Sequence, residues 1–532
     1  MSPKRGDASG PIQPGRVRGV RGVELSGERH DMHNIGSGEN RIWRWIGATT
    51  LVASSSGCTA YVGDESGSDA VARVEQAIQN LESTHGAETA VTTINNGWMV
   101  ITDNEDDPGF ITYNNNSRQV RPNTSMMGFF QLSPDFDPDE AVGVSGRVRP
   151  PAGWSVLWGD PAITRNRANP SRIYMVNLAV PTSKFPASGT IEGPVNPSGL
   201  PAEFCSAYLG GACIARSSNL GASFTLAASD CVQRITPSCP NGTFYDGSDL
   251  ETDTSGRVYA AFTDVSRNST DVYLATSQTG SFARVTDPPG GGSTVMHPRL
   301  KFGPSGLYML QLTSSFNLTI SRYPAGSSRS GTWTTPVQVA SSITASDVVL
   351  SDRSLRLGPE YDLDIGPNEF GSQEIRVVYT VIVNGNHHVR AAKCTTGTTI
   401  SCSQPSVWRT DTHGGKQWLP AIVAGTTAAG APFWEISYHS TQNFPGTNKV
   451  ELWRGLLTNS NTFGTVRQET FQIPCPDNRG YWGDYDGMSS GTDISGVQGF
   501  TYRGMSQSFA GNCSRAQYTA SPMWAGITLW SK

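Results

Sequence analysis

The stretch that decides the fold is "GRVYAAFTDVSRNSTDVYLATSQTGSF", residues 256–282. It contains two runs rich in Val, Tyr, Ala and Phe, residues 256–265 and 271–277, with a polar gap between them. Runs of β-branched and aromatic residues bounded by polar turn residues are typical of strands. The stretch therefore predicts a pair of strands. The first strand is apolar on both sides, which indicates that both of its faces are buried.

The same two-strand phrase recurs along the chain. The other first strands lie at 97–105, 172–180, 306–314, 375–383, 432–440 and 496–504, and their partners lie at 128–134, 213–218, 317–323, 388–394, 449–455 and 516–522. One small sheet cannot bury both of its faces alone, whereas radial packing of successive sheets covers both. The repeat predicts an all-β fold, a seven-bladed β-propeller, with six or eight blades as the alternatives.

Composition agrees with such a fold and excludes two classes of partner. The 532 residues include 58 Gly and 33 Pro, and only 16% are charged, which favours short strands joined by turns. The formal net charge is −5 and the sequence has no sustained basic run. We therefore expect neither a nucleic-acid partner nor electrostatic binding to an anionic membrane.

The N-terminal region has the layout of an export signal. "RIWRWIGATTLVASSSGC", residues 41–58, places two arginines before a short apolar run, then small residues and Cys58. This ending resembles a bacterial lipobox, which implies that Cys58 is lipidated and anchors an exported protein to the cell envelope. An ordinary signal peptide of a secreted protein, with an incidental cysteine, is the alternative.

The domain organisation follows from these segments. We expect a disordered N-terminal extension with its signal and lipobox over 1–58, a linker over 59–87 and the propeller over 88–532. Within the linker, apolar residues at helical spacing predict one short helix at 69–84. The protein is expected to be a monomer that meets the membrane only through a lipid anchor.

The cysteines support an oxidising compartment. Of nine cysteines, eight remain without Cys58, an even number suited to disulfides. A repeated spacing of eight residues predicts three local pairs and leaves one further pair: Cys205 with Cys213, Cys231 with Cys239, Cys394 with Cys402, and Cys475 with Cys513. Metal binding is the alternative for cysteines, but no CxxC spacing accompanies these.

A turn signal carries a family resemblance. "RSSNLGASF", residues 216–224, resembles the Asp-box of the sialidase-like, BNR-repeat β-propellers, and weaker versions occur at 276–282, 327–333 and 132–137. The resemblance implies that these residues staple turns remote from the central site. The early Phe-Arg-Ile-Pro motif of sialidases is absent. The resemblance therefore implies no catalytic residue in this chain.

An acidic and aromatic phrase precedes six of the seven first strands, where the innermost strand of a blade begins. In "LGPEYDLDIG", residues 357–366, carboxylates alternate with apolar residues. Innermost strands converge on the central channel, so distant residues can meet there. The phrases lie at 158–163, 248–253, 297–302, 359–366, 417–422 and 482–488, and they include Trp158, Asp249 and Asp486 beside the residues given roles below.

Acids and aromatics in a concave site suit a sugar, whose hydroxyls need acceptors and whose apolar face stacks on rings. The substrate-binding candidates are His297, Arg299, Tyr361, Trp418, Trp482 and Tyr485. A glycoside hydrolase needs two carboxyl groups about 5–9.5 Å apart. The catalytic candidates are Asp362, Asp484, Asp160 and Glu360. Two alternatives stay open: the acids bond exposed backbone N–H groups, or the protein is a non-catalytic cell-surface module that binds protein or polysaccharide through its rim loops.

Calcium is the one cofactor that the sequence suggests. "DLDIGPNE" (362–369) and "DFDPDE" (135–140) place oxygen donors at alternate positions, as loops for hard cations do. The candidate ligands are Asp135, Asp137, Asp139 and Asp364. The alternative is that these acidic turns are simply solvated.

Overall fold

The computed structural model describes residues in the second of two units, Met1–Val71 and Ala72–Lys532, into which the internal contacts divide the chain. The described residues are 81–84, 90–93, 99–104, 110–114, 117–120, 124–125, 127–132, 142–157, 159–184, 193–194, 210–236, 243–288, 294–341, 343, 348–349, 354–356, 361–368, 370–403, 415–426, 432–447, 449–457, 463–472, 480–481, 488–492, 498–508 and 523–530.

These residues form strands and two short 3-10 helices, Thr182–Lys184 and Ala228–Asp230. The strands up to residue 300 are β1 Leu81–Thr84, β2 Ala90–Thr93, β3 Met99–Asn104, β4 Phe110–Asn114, β5 Ser117–Val120, β6 Thr124–Ser125, β7 Met127–Leu132, β8 Val142–Arg147, β9 Trp154–Leu157, β10 Ala162–Arg165, β11 Ile173–Pro181, β12 Gly193–Pro194, β13 Gly211–Ser217, β14 Cys231–Val232, β15 Tyr245–Thr252, β16 Val258–Asp264, β17 Ser269–Ala275, β18 Ala283–Arg284 and β19 Thr294–Gly303.

The remaining strands are β20 Gly306–Thr313, β21 Leu318–Pro324, β22 Val337–Ala340, β23 Val348–Val349, β24 Ser354–Arg356, β25 Tyr361–Pro367, β26 Gln373–Val383, β27 Asn386–Thr395, β28 Cys402–Ser403, β29 Gln417–Thr426, β30 Pro432–Ser440, β31 Lys449–Leu457, β32 Phe463–Gln472, β33 Gly480–Tyr481, β34 Met488–Thr492, β35 Gln498–Ser508 and β36 Met523–Trp530.

Seven antiparallel sheets dominate the described strands. They are sheet 1 (β2, β3, β7, β8), sheet 2 (β10, β11, β13, β14), sheet 3 (β15–β18), sheet 4 (β19–β22), sheet 5 (β25–β28), sheet 6 (β29–β32) and sheet 7 (β34, β35, β36, β1). In sheet 2, β9 pairs with the far half of β11, and β6 pairs with β9. Two smaller sheets join β12, β5 and β4, and β23, β24 and β33.

Seven strands, one at an edge of each sheet, form a closed circle. Each of β2, β10, β15, β19, β25 and β29 contacts its counterpart in the following sheet, and β34 of sheet 7 contacts β2 again. Sheets arranged radially around such a circle of innermost strands make a β-propeller. The predicted all-β propeller class is therefore confirmed. The number of blades in the whole chain stays a prediction, because parts of the chain lie outside the described residues.

Sheet 7 joins the two ends of the described chain. Strand β1 pairs antiparallel with β36, so that Leu81 faces Ile527. The predicted helix at 69–84 is therefore wrong for residues 81–84, because pairing with a strand more than 400 residues away outweighs a weak local helix preference. Residues 69–80 lie outside the described residues. The propeller includes residues that the sequence assigned to the linker.

Apolar clusters fill the spaces between neighbouring sheets. Strand β16 is buried along its whole length. Phe262 on one of its faces packs in a cluster with Tyr174 of sheet 2, and Tyr259 on the other face packs with Met309 of sheet 4. This confirms the expectation that middle strands are apolar on both sides because both sides are covered.

Two disulfides occur among the described residues. Cys394 pairs with Cys402, as predicted, whereas Cys213 pairs with Cys231. The predicted pairs of Cys213 with Cys205 and of Cys231 with Cys239 are therefore wrong. The cause is strand register: the two cysteines of the observed pair face each other across β13 and β14. The other cysteines, Cys58, Cys205, Cys239, Cys475 and Cys513, lie outside the described residues.

Candidate functional site

The innermost strands present one unpaired edge to the centre of the ring. Strands β15, β19, β25 and β29 each pair with only one strand of their own sheet, and each contacts the innermost strands beside it. Backbone N–H groups on an unpaired edge project at every second residue and need acceptors. The carboxylates of the acidic phrases are therefore candidate acceptors for these backbone groups.

The alternation in "LGPEYDLDIG" is present in the structure. Asp362 and Asp364 are partly exposed, whereas Tyr361 and Leu363 between them are buried, at 3% and 0% exposure. Strand β25 thus directs its carboxylates towards the channel side and its apolar residues into the packing between sheets. Glu360, the first acid of the pattern, lies outside the described residues.

The carboxylates of β25 bridge two innermost strands. Asp362 accepts hydrogen bonds from the N–H of Leu363 on its own strand (2.9 Å) and of Ile422 on β29 (3.0 Å), one with each oxygen. Asp364 repeats the arrangement two residues on and accepts from the N–H of Ala424 at 2.8 Å. The two-residue spacing of the aspartates matches the two-residue spacing of N–H groups on both strand edges. We call these interactions inter-sheet clasps.

Similar clasps occur elsewhere in the ring. Asp249 on β15 accepts from the N–H of Leu250 at 2.8 Å and from that of Leu300 on β19 at 2.6 Å. Asp160, just before β10, accepts from the N–H of Gly247 on β15 at 2.7 Å. Sheets 2 and 3, 3 and 4, and 5 and 6 are therefore joined by aspartates of the recurrent acidic phrase. The alternative in which the acids bond backbone N–H groups is confirmed for these aspartates.

A second repeated feature marks the channel mouth, the end of the ring at which the innermost strands begin. Asp160, Gly247, His297 and Leu419 occupy equivalent places and have φ values of 52°, 49°, 37° and 49°. The pairing register of β15, β19 and β29 shifts at the same point. Non-glycine residues in this left-handed region cost of order 1 kcal/mol or more, and such strain clusters at functional sites.

Hydrogen bonds also cross between sheets at the mouth. The Ser248 hydroxyl donates to the carbonyl of Asp160, and the Tyr361 hydroxyl donates to the carbonyl of His297 at 2.7 Å. The His297 ring lies against Gly247, where an added Cβ would come within 2.2 Å of Nδ1. Glycine is required there because a Cβ would collide with the imidazole.

Burial alters the charge behaviour of the channel acids. Burial raises the pKa of Asp249 to about 6, although Arg299 and the bonded N–H groups partly offset the rise. Burial likewise raises the pKa of Asp362, against the lowering effect of Arg299 and Lys301. Arg299 therefore lies near enough to act on both carboxyls, and the channel holds acids and bases together.

Lys301 is a channel residue that the sequence interpretation missed. Its ammonium lies 3.7 Å from Oδ1 of Asp364. Burial would lower its pKa, but the carboxylates of Asp364, Glu251, Asp362 and Asp249 outweigh burial and raise it. The signal was present in "HPRLKF", because Arg299 and Lys301 alternate there with buried residues just as the aspartates do in β25.

Three predicted ligand-contacting residues are buried. His297, Tyr361 and Trp418 are 4%, 3% and 0% exposed. The Trp418 ring stacks on His439 with centroids 5.9 Å apart. These side chains support the mouth from within, whereas Arg299 is partly exposed. Several candidates lie outside the described residues: Trp158, Asp484, Asp486, Glu360, Trp482 and Tyr485.

Of the four calcium candidates, Asp364 lies among the described residues, and its two oxygens are used by backbone N–H groups. Within the part of the chain that the structure describes, no three His, Cys, Asp or Glu residues are grouped as metal ligands. Both oxygens of Asp364 accept backbone hydrogen bonds, from Ile365 at 2.9 Å and from Ala424. Asp135, Asp137 and Asp139 lie outside the described residues.

The turn "RSSNLGASF" is stapled by its own side chains. The Ser217 oxygen accepts from the N–H of Gly221 at 2.9 Å, and Oδ1 of Asn219 accepts from that of Ser223 at 3.1 Å. Phe224 packs on Phe129 with centroids 4.8 Å apart. The turn lies between the third and fourth strands of sheet 2, and the segments 276–282 and 327–333 lie at the same place in sheets 3 and 4. Residues 133–137 of the fourth segment lie outside the described residues.

No helix among the described residues is long and apolar enough to cross a membrane. No protein-family model and no curated protein sequence matches the chain.

Solved structures similar to the chain include carbohydrate-acting enzymes. One, described as NanB with Optactamide, has a TM-score of 0.43 and 8% identity, over 69% of this chain and 67% of that one. A Trypanosoma rangeli sialidase with the inhibitor DANA has a TM-score of 0.39 and 8% identity, over 84% and 55%. A Penicillium chrysogenum α-L-arabinanase with arabinobiose has a TM-score of 0.35 and 12% identity, over 70% and 92%. The chain thus spans about half of the sialidase. At these values the likenesses carry no argument about function.

Proposed function

We propose that this protein is an exported β-propeller that binds a carbohydrate in its central channel. The observation that supports the proposal is the set of partly exposed ionisable groups of both signs on three successive innermost strands: Asp249 on β15, Arg299 and Lys301 on β19, and Asp362 and Asp364 on β25.

A sugar hydroxyl both donates and accepts hydrogen bonds, so it is matched by neighbouring cations and carboxylates. The guanidinium of Arg299 is the group we expect to bind the ligand directly. The aspartates can bind the backbone and the ligand at once. One lone pair of each oxygen accepts from a backbone N–H, and the other remains to accept from a sugar hydroxyl.

Glycoside hydrolysis at the same site is a second candidate, supported by the raised pKa of Asp249, about 6. A carboxyl group with a pKa of about 6 keeps its proton in weakly acidic solution and can protonate a glycosidic oxygen there, while a second carboxylate, such as Asp362, activates water or attacks the sugar. The clasps favour binding without turnover, because Asp362 is held by two backbone N–H groups. Asp160 is 7% exposed and so has a weaker claim to a catalytic role than the channel acids.

The export part of the proposal includes lipidation of Cys58. Its support is the pair of disulfides, which are typical of an oxidising compartment. Replacing Cys58 by Ser is expected to move the protein from the membrane fraction to the soluble fraction of its host, as followed by immunoblotting.

Binding is tested on a glycan array with the wild type, Arg299→Gln and Arg299→Lys. We expect Arg299→Gln to lose about tenfold or more in affinity for the bound glycan, and Arg299→Lys to lose less, because it keeps the charge. Equal binding by all three proteins would rule out the channel as the site.

Turnover is tested by reducing-sugar release from the glycan that binds. Hydrolysis that disappears in Asp249→Asn, in protein that is folded by circular dichroism, would establish the second candidate. Binding without release would leave the non-catalytic function.

A further inference from the structure

A cavity of about 790 Å³ lies at the far end of the channel, where the innermost strands end. Its walls come from the turns after β10, β15, β19 and β25 and from the turns after β17 and β21. The volume lies within the range of small-molecule sites. The cavity is lined by Arg167, Asp253, Thr254, Ser255, Arg257, Thr276, Phe302, Gly303, Pro304, Ala325, Gly326, Ile365 and Gln373.

Two arginines of this far-end cavity are held in place by carboxylates. Arg167 donates from Nε and Nη2 to the two oxygens of Glu251, at 3.3 and 3.1 Å. Arg257 donates from Nε to Asp253 and from Nη1 to the carbonyl of Ser327. One further N–H₂ group of each guanidinium has no partner among the described residues. Both arginines are thus oriented donors with capacity for a ligand.

Each arginine of the cavity is already paired with a carboxylate, which favours a neutral ligand. Glu251 and Asp253 offset Arg167 and Arg257 pair by pair. Asp253 is 1% exposed and is saturated by Ser255 and Arg257. An anionic ligand would compete with Glu251 and Asp253 for the two guanidinium groups, whereas a hydroxyl gains hydrogen bonds from donors that are already fixed.

An exposed aromatic residue lies in a turn that follows one wall of the cavity in the chain. Phe370 is 82% exposed at the tip of the turn between β25 and β26, the strands that supply Ile365 and Gln373 to the wall. The backbone of this turn is bonded by its own side chain, because Oδ1 of Asn368 accepts from the N–H of Phe370 at 2.9 Å and from that of Ser372 at 3.0 Å. An exposed ring in a turn that adjoins the cavity wall in the chain suits the apolar face of a sugar.

From these contacts we propose that the far-end cavity binds an uncharged sugar unit, at a site separate from the channel site. Arg167 and Arg257 bind its hydroxyls, and Phe370 stacks on its ring. The proposal does not depend on ligand binding by Arg299, because the two sites share no residue.

The test uses a glycan array of neutral and sialylated oligosaccharides, followed by calorimetric titration of the strongest neutral binder. The variants are Ala325→Trp, which fills the cavity from its exposed rim, and Phe370→Ala. We expect Ala325→Trp to weaken binding at this site by about tenfold or more, and Phe370→Ala to weaken it by about two- to tenfold. Both positions are exposed, so neither change should alter folding.

Matched controls are Ala228→Trp on an exposed 3-10 helix and Phe316→Ala, a partly exposed aromatic in a turn at the other end of its sheet. Both should bind like the wild type, and so should Arg299→Gln at this site. The proposal is overturned if Arg299→Gln binds no neutral glycan or binds sialylated glycans preferentially, or if Ala325→Trp binds like the wild type. Binding that is lost only in Arg299→Gln would refute the cavity and keep the channel.

Discussion

Removal of the Asp362 carboxylate should loosen the junction between sheets 5 and 6. In Asp362→Ala the N–H groups of Leu363 and Ile422 lose their acceptors, and both residues are almost fully buried, at 0% and 1% exposure. A buried N–H left without a partner costs about 1–3 kcal/mol. Water in the channel and the relief of a buried charge reduce the sum, so we expect a loss of about 2–4 kcal/mol in the free energy of unfolding.

The expected thermal shift follows from the size of the chain. At the average entropy of unfolding per residue, 532 residues give about 1 kcal/mol per kelvin. The melting temperature of Asp362→Ala should therefore fall by about 2–4 °C in differential scanning calorimetry. Asp362→Asn keeps one acceptor oxygen and should fall by about half as much.

Two further variants are compared with Asp362→Ala. Asp364→Ala removes an equivalent clasp to Ala424 and should lose a similar amount of stability. Asp287→Ala is the control, because that side chain is 45% exposed and takes part only in surface ion pairs, worth about 1 kcal/mol or less. An unchanged melting temperature in Asp362→Ala, or an equal fall in Asp287→Ala, would refute the clasp.

Three further outcomes are expected. Burial raises the pKa of Asp249 and Asp264 to about 6 from 3.8, so the folded chain binds their protons more tightly than the unfolded chain does. The stability that these protons contribute is full below about pH 4 and is lost as the pH rises through 6. Replacing either aspartate by Asn should therefore make the urea midpoint depend less on pH between 4 and 6. Serine at both Cys213 and Cys231 opens a link spanning 18 residues and should cost about 3 kcal/mol in urea unfolding. Tyr361→Phe loses the bonds of the hydroxyl to the His297 carbonyl and to the backbone of Leu312, and should cost about 2 kcal/mol by the same assay.

Each of these three predictions can be refuted by a specific result. Midpoints that rise from pH 4 to 6 because of Asp249, or that do not respond to its replacement, would contradict the burial of its charge. Reduced wild type as stable as oxidised wild type would contradict a structural role for the Cys213–Cys231 bond. A large loss in Tyr361→Phe would mean that the hydroxyl does more than join two sheets.

Local patterns in the sequence predicted the parts of the fold that depend on neighbouring residues. The apolar runs form the middle strands, and the acidic phrases lie at or just before the innermost strands. In β25 the alternation of polar and apolar side chains follows directly from the order Asp362, Leu363, Asp364. The same reasoning placed Asp249 and Arg299 near the channel.

Long-range register could not be read from the same patterns. The acceptor role of Asp362 depends on Ile422, 60 residues away, and that of Asp249 depends on Leu300, 51 residues away. The cysteine spacing suggested local pairs, but the facing positions of β13 and β14 decide that Cys213 meets Cys231. The far-end cavity was missed because its walls come from turns of four sheets, and no single segment contains its signal.

The most direct test of the account is a crystal structure of the protein with the glycan that binds most tightly to the array. We expect a sugar in the channel within hydrogen-bond distance of Arg299, while the Asp362 carboxylate still accepts from the N–H groups of Leu363 and Ile422. A channel that contains no sugar while the glycan occupies the rim loops alone, or an Asp362 carboxylate turned away from Ile422, would contradict the account.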